Sequence, residues 1–219
     1  MKERPIIFNA DMVRAVLDGR KTQTRRAVKF PFRDKNFGCE LSGSELAGEV
    51  SARNYRNCPF GAVGDRLWVR EAWQVIHDYP DEHGNIDERR YARSIPKKRG
   101  NYWHPVYAEA WGGEDRETRS FPWRPSIHMP RWASRITLEI TGIRVERLQD
   151  ISEQDAAAEG AATELSLIGD KHYLGYRSLW KSIYGDNSWQ ANPWVWVIEF
   201  KPAAGQTKGS SISSTSSEP

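Results

Sequence analysis

Apolar and polar positions along the chain fall into blocks that predict a mixture of short strands and helices. Residues 5–8 read as a strand. Asn9 or Asp11 can cap the helix that follows, whose Met12, Val13, Val16 and Leu17 make one stripe at helical spacing before Gly19 ends it. Residues 20–30 read as an extended segment, and residues 31–62, with scattered Gly, Ser, Asn and charge, as a long loop. Gly64-Asp65 turns into an alternating strand over 66–70. Periodicity is lost over residues 72–131, and a structureless loop of that size is rare in a compact domain, so an insertion with local structure is expected there. Within it, the Pro-bracketed residues 125–132 are expected to be extended and to act as a hinge.

Order returns with an alternating strand at 136–140, continuing over 143–148 after Gly142. Ser152 and Asp155 form a capping box behind Ile151, for a helix that runs through Ala156, Ala157 and Ala158 to Glu159 and stops at Gly160. A second helix carries Tyr176, Leu179, Trp180, Ile183 and Tyr184 on one stripe, closed by Gly185. Residues 194–200 are apolar on both faces except at Glu199, which predicts a central strand. Mixed strands with segregated helices give an α+β fold, read as a small, partly closed barrel. One domain is expected over residues 1–202, followed by a disordered Ser-rich tail at 203–219.

With 219 residues, 38% of them hydrophobic and 28% charged, the chain suits one domain with an insertion. No apolar run approaches a membrane span, and residues 1–5 lead into no apolar signal core, so a cytoplasmic protein is expected. Cys39 and Cys58 have no metal-like spacing and read as reduced thiols, with a zinc site at His77 or His83 disfavoured. The net charge of +3 permits nucleic-acid binding without requiring it. Ten tryptophans, interleaved with arginines, can stack on unpaired bases, although core filling is the expected role for most of them. His77, His104, His128 and His172 read as loop or packing residues; Glu88-Arg89-Arg90 and Lys97-Lys98-Arg99 read as solvated loop charge, the latter also suited to phosphates.

The chemistry concentrates after Gly19, where Arg20-Lys21-Thr22-Gln23-Thr24-Arg25-Arg26 holds four cations, two threonines and no acid. A threonine hydroxyl becomes a nucleophile when a base takes its proton, and a lysine can do so if burial or neighbouring cations lower its pKa. A carboxylate such as Glu159 can pass the proton to a leaving amine. In an ideal strand Lys21 and Thr24 face opposite sides, so a shared site needs a bend between them.

Gly19 to Arg26 resembles the G-x-K-T-x-T-x-R signature of the ASCH superfamily, whose domains share a PUA-like β-barrel. Residues 64–69, 151–159 and 197–201 resemble that family's Gly-Asp strand, its acid-bearing helix and its closing strand, giving a core over 5–70 and 134–201 around the insertion. The small bacterial members remove the acetyl group from N4-acetylcytidine. The resemblance therefore implies Thr24 as nucleophile, Lys21 as its activator and Glu159 as general acid/base. Arg26 would help to orient a nucleoside, with Arg20 and Arg25 beside it, and no metal or organic cofactor is required. Other relatives bind RNA or cleave single-stranded RNA, so a non-catalytic module for single-stranded nucleic acid and, less favoured, a ribonuclease are the alternatives. The length, the insertion and Ala27 depart from the small enzymes, and the long form of the chain resembles ASCH proteins of phages and prophages.

Overall fold

The computed structural model describes residues 1–77, 79–80, 82–85, 91–100, 102–111, 121–167, 169 and 171–204. Five strands join in one mixed sheet: β1 (Glu3–Ile7), β2 (Gln23–Ala27), β5 (Arg66–Arg70), β8 (Thr137–Arg147) and β9 (Trp194–Pro202). Their order is β1-β5-β8-β9-β2, with β1 and β5 parallel and the other neighbours antiparallel. The fold is α+β, as its pattern predicts. Among the described residues no ladder joins the edge strands β1 and β2. The Arg26 guanidinium at one edge nevertheless donates to the Ile7 carbonyl at the other over 2.6 Å, so the sheet must curl strongly.

Between β2 and β5 lie the short strands β3 (Phe32–Arg33) and β4 (Glu40–Leu41) and the helix α2 (Gly43–Ser51). This corrects the expected long loop. Ser42 and Glu45 close a capping box at the head of α2, and Leu46 and Val50 bury its inner face. The other helices are α1 (Ala10–Leu17), α3 (Glu153–Ala158) and α4 (His172–Tyr184). Gly175 lets α4 approach closely, because a Cβ there would meet the Ala162 carbonyl oxygen at 1.8 Å. Among the described residues no helix is long and apolar enough to cross a membrane.

β9 is central, as its two apolar faces predict. Trp196, Ile198 and Phe200 enter one core with Phe8, Val13, Leu67, Leu138 and Ile140. Val195 and Val197 enter a second core with Ala156, Tyr176, Trp180 and Trp189, beneath α3 and α4. Fully burying side chains of this kind contributes about 1.5–3 kcal/mol each before chain entropy is set against it. The strand expected to continue past Gly142 does so as β8, with a register shift against β9 between Ile140 and Gly142.

The insertion carries a hairpin of β6 (Trp73–His77) and β7 (Trp103–Tyr107) and its own small core of Trp73, Val75, Ala92, Met129 and Ala133. Glu71, just before the insertion, and Glu109 within it meet at Arg135, which precedes β8. Arg135 donates to both Glu71 oxygens at 2.9 Å and to Glu109 at 3.0 Å. The expected extended hinge at 125–132 instead contains two 3₁₀ turns, Ser126–His128 and Arg131–Ala133, because the flanking prolines start tight turns there. At the C-terminal end Ala203 is buried and its amide donates to the Thr137 carbonyl. Residues 205–219 of the expected disordered tail, and the Glu88-Arg89-Arg90 run, lie outside the described residues.

Candidate active site

Helix α1 ends at Asp18, and Gly19, at φ +76°, turns the chain toward β2. Lys21 is not part of that strand. It pairs as an isolated bridge with Glu159, the residue that caps the C-terminus of α3. The change of partner occurs at Thr22, whose amide donates to the Ala158 carbonyl while its own carbonyl accepts from Phe200 on β9. The chain therefore changes partner between Lys21 and β2, and strict strand alternation does not run from Lys21 to Thr24.

The Lys21 ammonium donates to Glu159 Oε2 and to the Glu159 carbonyl, both at 2.8 Å. Both residues are buried, with the Lys21 side chain wholly inaccessible and that of Glu159 3% exposed. Burial draws the Lys21 pKa below its ordinary value; the Glu159 carboxylate opposes this, and the Arg26 and Arg25 charges add to it. The Lys21 Nζ also lies 5.5 Å from the centroid of the Phe8 ring, which Arg26 approaches to 5.7 Å.

Glu159 is held from two sides. Its Oε1 accepts from Arg25 Nη1 at 3.2 Å, and Arg25 Nη2 reaches Glu146 Oε1 at 2.6 Å and Asp155 Oδ2 at 3.4 Å. Arg144 continues the network to Glu146 and Asp155, each at 2.8 Å, and to Glu199. Gln23 donates to the Asp155 carbonyl at 2.7 Å and to its Oδ1 at 3.1 Å. The ladder explains the convergence: Arg25 on β2 lies beside Val197 on β9, and Val197 lies beside Arg144 on β8. All three therefore point to the face covered by α3 and α4.

Thr24 lies one step away on the opposite face, paired with Ile198 and only 1% exposed. Strand alternation places it with Arg26, on the side where Phe8 is packed. Among the described residues Lys21 donates to Glu159 rather than to Thr24. The structure thus brings Lys21 and Arg25 each onto Glu159, with Thr24 the residue before Arg25 on β2 and on its opposite face.

The three arginines expected around a substrate have other partners. Arg25 is enclosed by carboxylates, Arg26 bonds the Ile7 carbonyl, and the exposed Arg20 pairs with Asp18 at 2.9 Å and the Gly160 carbonyl at 3.3 Å. The acids that meet Lys21 and Arg25 come from β8, α3 and its C-terminal cap, more than a hundred residues away, whereas Arg20 pairs with the nearby Asp18. Glu146 and Asp155 are the participants that sequence reasoning missed. The one available signal is the placement of Arg144 and Glu146 two apart on a strand, hence on one face.

Two expected results follow from this geometry. Burial disfavours the charged form of Asp155, but bonds from Gln23 and Ser152 and the Arg144 and Arg25 charges outweigh it, and its pKa falls to about 2. The unfolded chain then binds more protons as pH falls from about 3.8 toward 2, so stability drops across that window. Denaturant melts of the Asp155→Asn variant should show a flatter pH dependence there. Gly160, at φ +75°, would place a Cβ 2.7 Å from Ala15 and 2.9 Å from the Lys21 Cβ. Gly160→Ala should cost about 2–4 kcal/mol from crowding and backbone strain combined, measured by thermal or urea unfolding.

A groove of about 880 Å³ lined by Glu153, Ser166, Leu167, Lys171, Tyr173 and Leu174 opens beside α3 and the start of α4. Comparison with known protein families, curated proteins and solved structures found no match.

Proposed function

We propose that this chain is an ASCH-type amidohydrolase that deacylates a modified nucleoside or nucleobase such as N4-acetylcytidine. The curled sheet is on this reading a PUA-like barrel closed through Arg26. The observation that carries the reading is the buried Lys21–Glu159 pair, formed between two segments 138 residues apart. A buried ion pair contributes little net stability compared with apolar packing of the same volume, so its presence favours a chemical role.

In this mechanism a neutral Lys21 amine takes the Thr24 hydroxyl proton as Oγ1 attacks the acetyl carbonyl carbon. The carbon–nitrogen bond breaks, and the proton passes from Lys21 through Glu159 to the departing N4 amine. Water then adds to the acetyl ester on Thr24, Lys21 accepts the water proton, acetate leaves, and Thr24 regains its hydroxyl proton. Burial lowers the lysine pKa and so raises the share of Lys21 present as the amine base, against the opposing pull of the Glu159 carboxylate. Arg25 serves as a positioning residue that fixes Glu159, while Arg26 joins the sheet edges.

With Lys21, Thr24 and Glu159 each at most 3% exposed, the mechanism requires the site to open for substrate. The test is incubation of the purified protein with N4-acetylcytidine, followed by chromatography. Release of cytidine and acetate in equal amounts is the expected result. A folded protein that releases neither from this or other N-acylated nucleobases would overturn the reading.

A further inference from the structure

We infer that the open end of the insertion hairpin binds single-stranded nucleic acid, stacking bases on Tyr79 and Tyr102 and placing phosphates on Lys97, Lys98 and Arg99. The inference goes beyond the hydrolase reading and does not rest on it. β6 ends at His77 and β7 begins at Trp103, and these two form the last pair of the hairpin, with ring centroids 4.8 Å apart. Just beyond them Tyr79 and Tyr102 meet edge to face at 4.8 Å, and both lie about 6 Å from the His77 ring. Each tyrosine is 51% exposed. An edge-to-face pair leaves ring faces open, and such faces accept any base. Tyr102 also sits at φ +63°, a conformation that disfavours a bulky side chain and clusters at functional positions.

Charge adds the second half of the argument. Residues 91–107 contain Arg93, Lys97, Lys98 and Arg99, four aromatic rings and no acid. Arg93, Lys97, Lys98 and Arg99 are all exposed. Arg99 Nη2 lies 3.4 Å from His104 Nδ1, so the cationic run reaches β7 two residues from Tyr102. The cations of residues 20–26 cannot take this part, because carboxylates or carbonyls already hold them. Among the described residues between β6 and β7, the cations Arg93, Lys97, Lys98 and Arg99 all lie in the segment that leads into β7. About three phosphate contacts imply a salt slope near −2 in a logarithmic plot.

The test uses the full chain and fluorescein-labelled single-stranded RNA and DNA of one mixed sequence, about 12 nucleotides long. Anisotropy is read at about 50 and 200 mM salt. Tyr79→Ala/Tyr102→Ala should weaken binding at least about tenfold with the slope unchanged. Lys97→Ala/Lys98→Ala/Arg99→Ala should weaken it and flatten the slope. Tighter binding of RNA would assign a contact to the 2′-hydroxyl, and equal binding would assign recognition to base faces and phosphates alone. No binding of either strand, binding untouched by both variants, or equally tight binding of a duplex would overturn the inference. Circular dichroism confirms that each variant is folded, and cytidine release from a free acetylated nucleoside is read in parallel to keep the two readings separate.

Discussion

Glu159→Ala is expected to lose about 3–5 kcal/mol of stability at neutral pH. The Lys21 side chain is wholly buried and Glu159 is the carboxylate it bonds. Removal of that carboxylate leaves a buried ammonium, which the fold can relieve only by releasing its proton. From an unfolded pKa of 10.5, that release at pH 7 costs about 5 kcal/mol, which sets the ceiling. The sign of the pH dependence follows. In the variant the unfolded chain binds more protons than the folded one, so stability rises with pH from about 7 toward 10.5. Lys21→Met should cost less, because Glu159 still faces Arg25. Urea unfolding of both variants between pH 7 and 10 measures this; equal losses, or a loss independent of pH, would show that Glu159 does not carry the Lys21 charge.

The second large effect concerns turnover rather than stability. Lys21→Arg keeps a cation opposite Glu159, so its stability should fall by only about 1–3 kcal/mol, the cost of fitting a larger group into a packed space. A guanidinium stays protonated at any working pH and cannot accept the Thr24 proton. Cytidine release should therefore fall by about 10²–10⁴-fold, the range assigned to a general base. Calorimetry and initial rates on the same preparation separate the two roles. A variant that keeps its rate would make Lys21 a purely structural cation, and one that unfolds would point to Lys21→Met as the next comparison.

Parts of this architecture are legible in the sequence for clear reasons. β9 reads as central because apolar residues occupy both of its faces, and the structure gives each face a core. The capping box at Ser152 and Asp155 marks α3 correctly. α2 escapes because Gly43, Gly48 and two serines weaken its helical signal, although Ser42 and Glu45 carry the same kind of cap. The insertion hairpin escapes because β6 and β7 are joined by 25 residues, outside the reach of local turn patterns.

The site is legible to a different degree. Lys21, Thr24 and Glu159 are picked out by chemical type and by resemblance, and the ladder and the bridge then place them on adjoining elements. The fate of the arginines is not legible, because a one-dimensional run of cations does not reveal acids supplied by β8 and α3. Arg25 reads as a ligand for an anion and is instead surrounded by the protein's own carboxylates. A sequence motif gives residue type and order; the neighbours come only from the sheet register.

The most direct measurement is the rate of cytidine release from N4-acetylcytidine by the native protein beside Thr24→Ala and Thr24→Ser, with melting temperatures taken on the same samples. Covalent attack by Oγ1 predicts that the alanine variant loses at least about 10³-fold in rate while remaining folded, and that serine restores part of it. A folded Thr24→Ala variant that releases cytidine at the native rate would contradict the account.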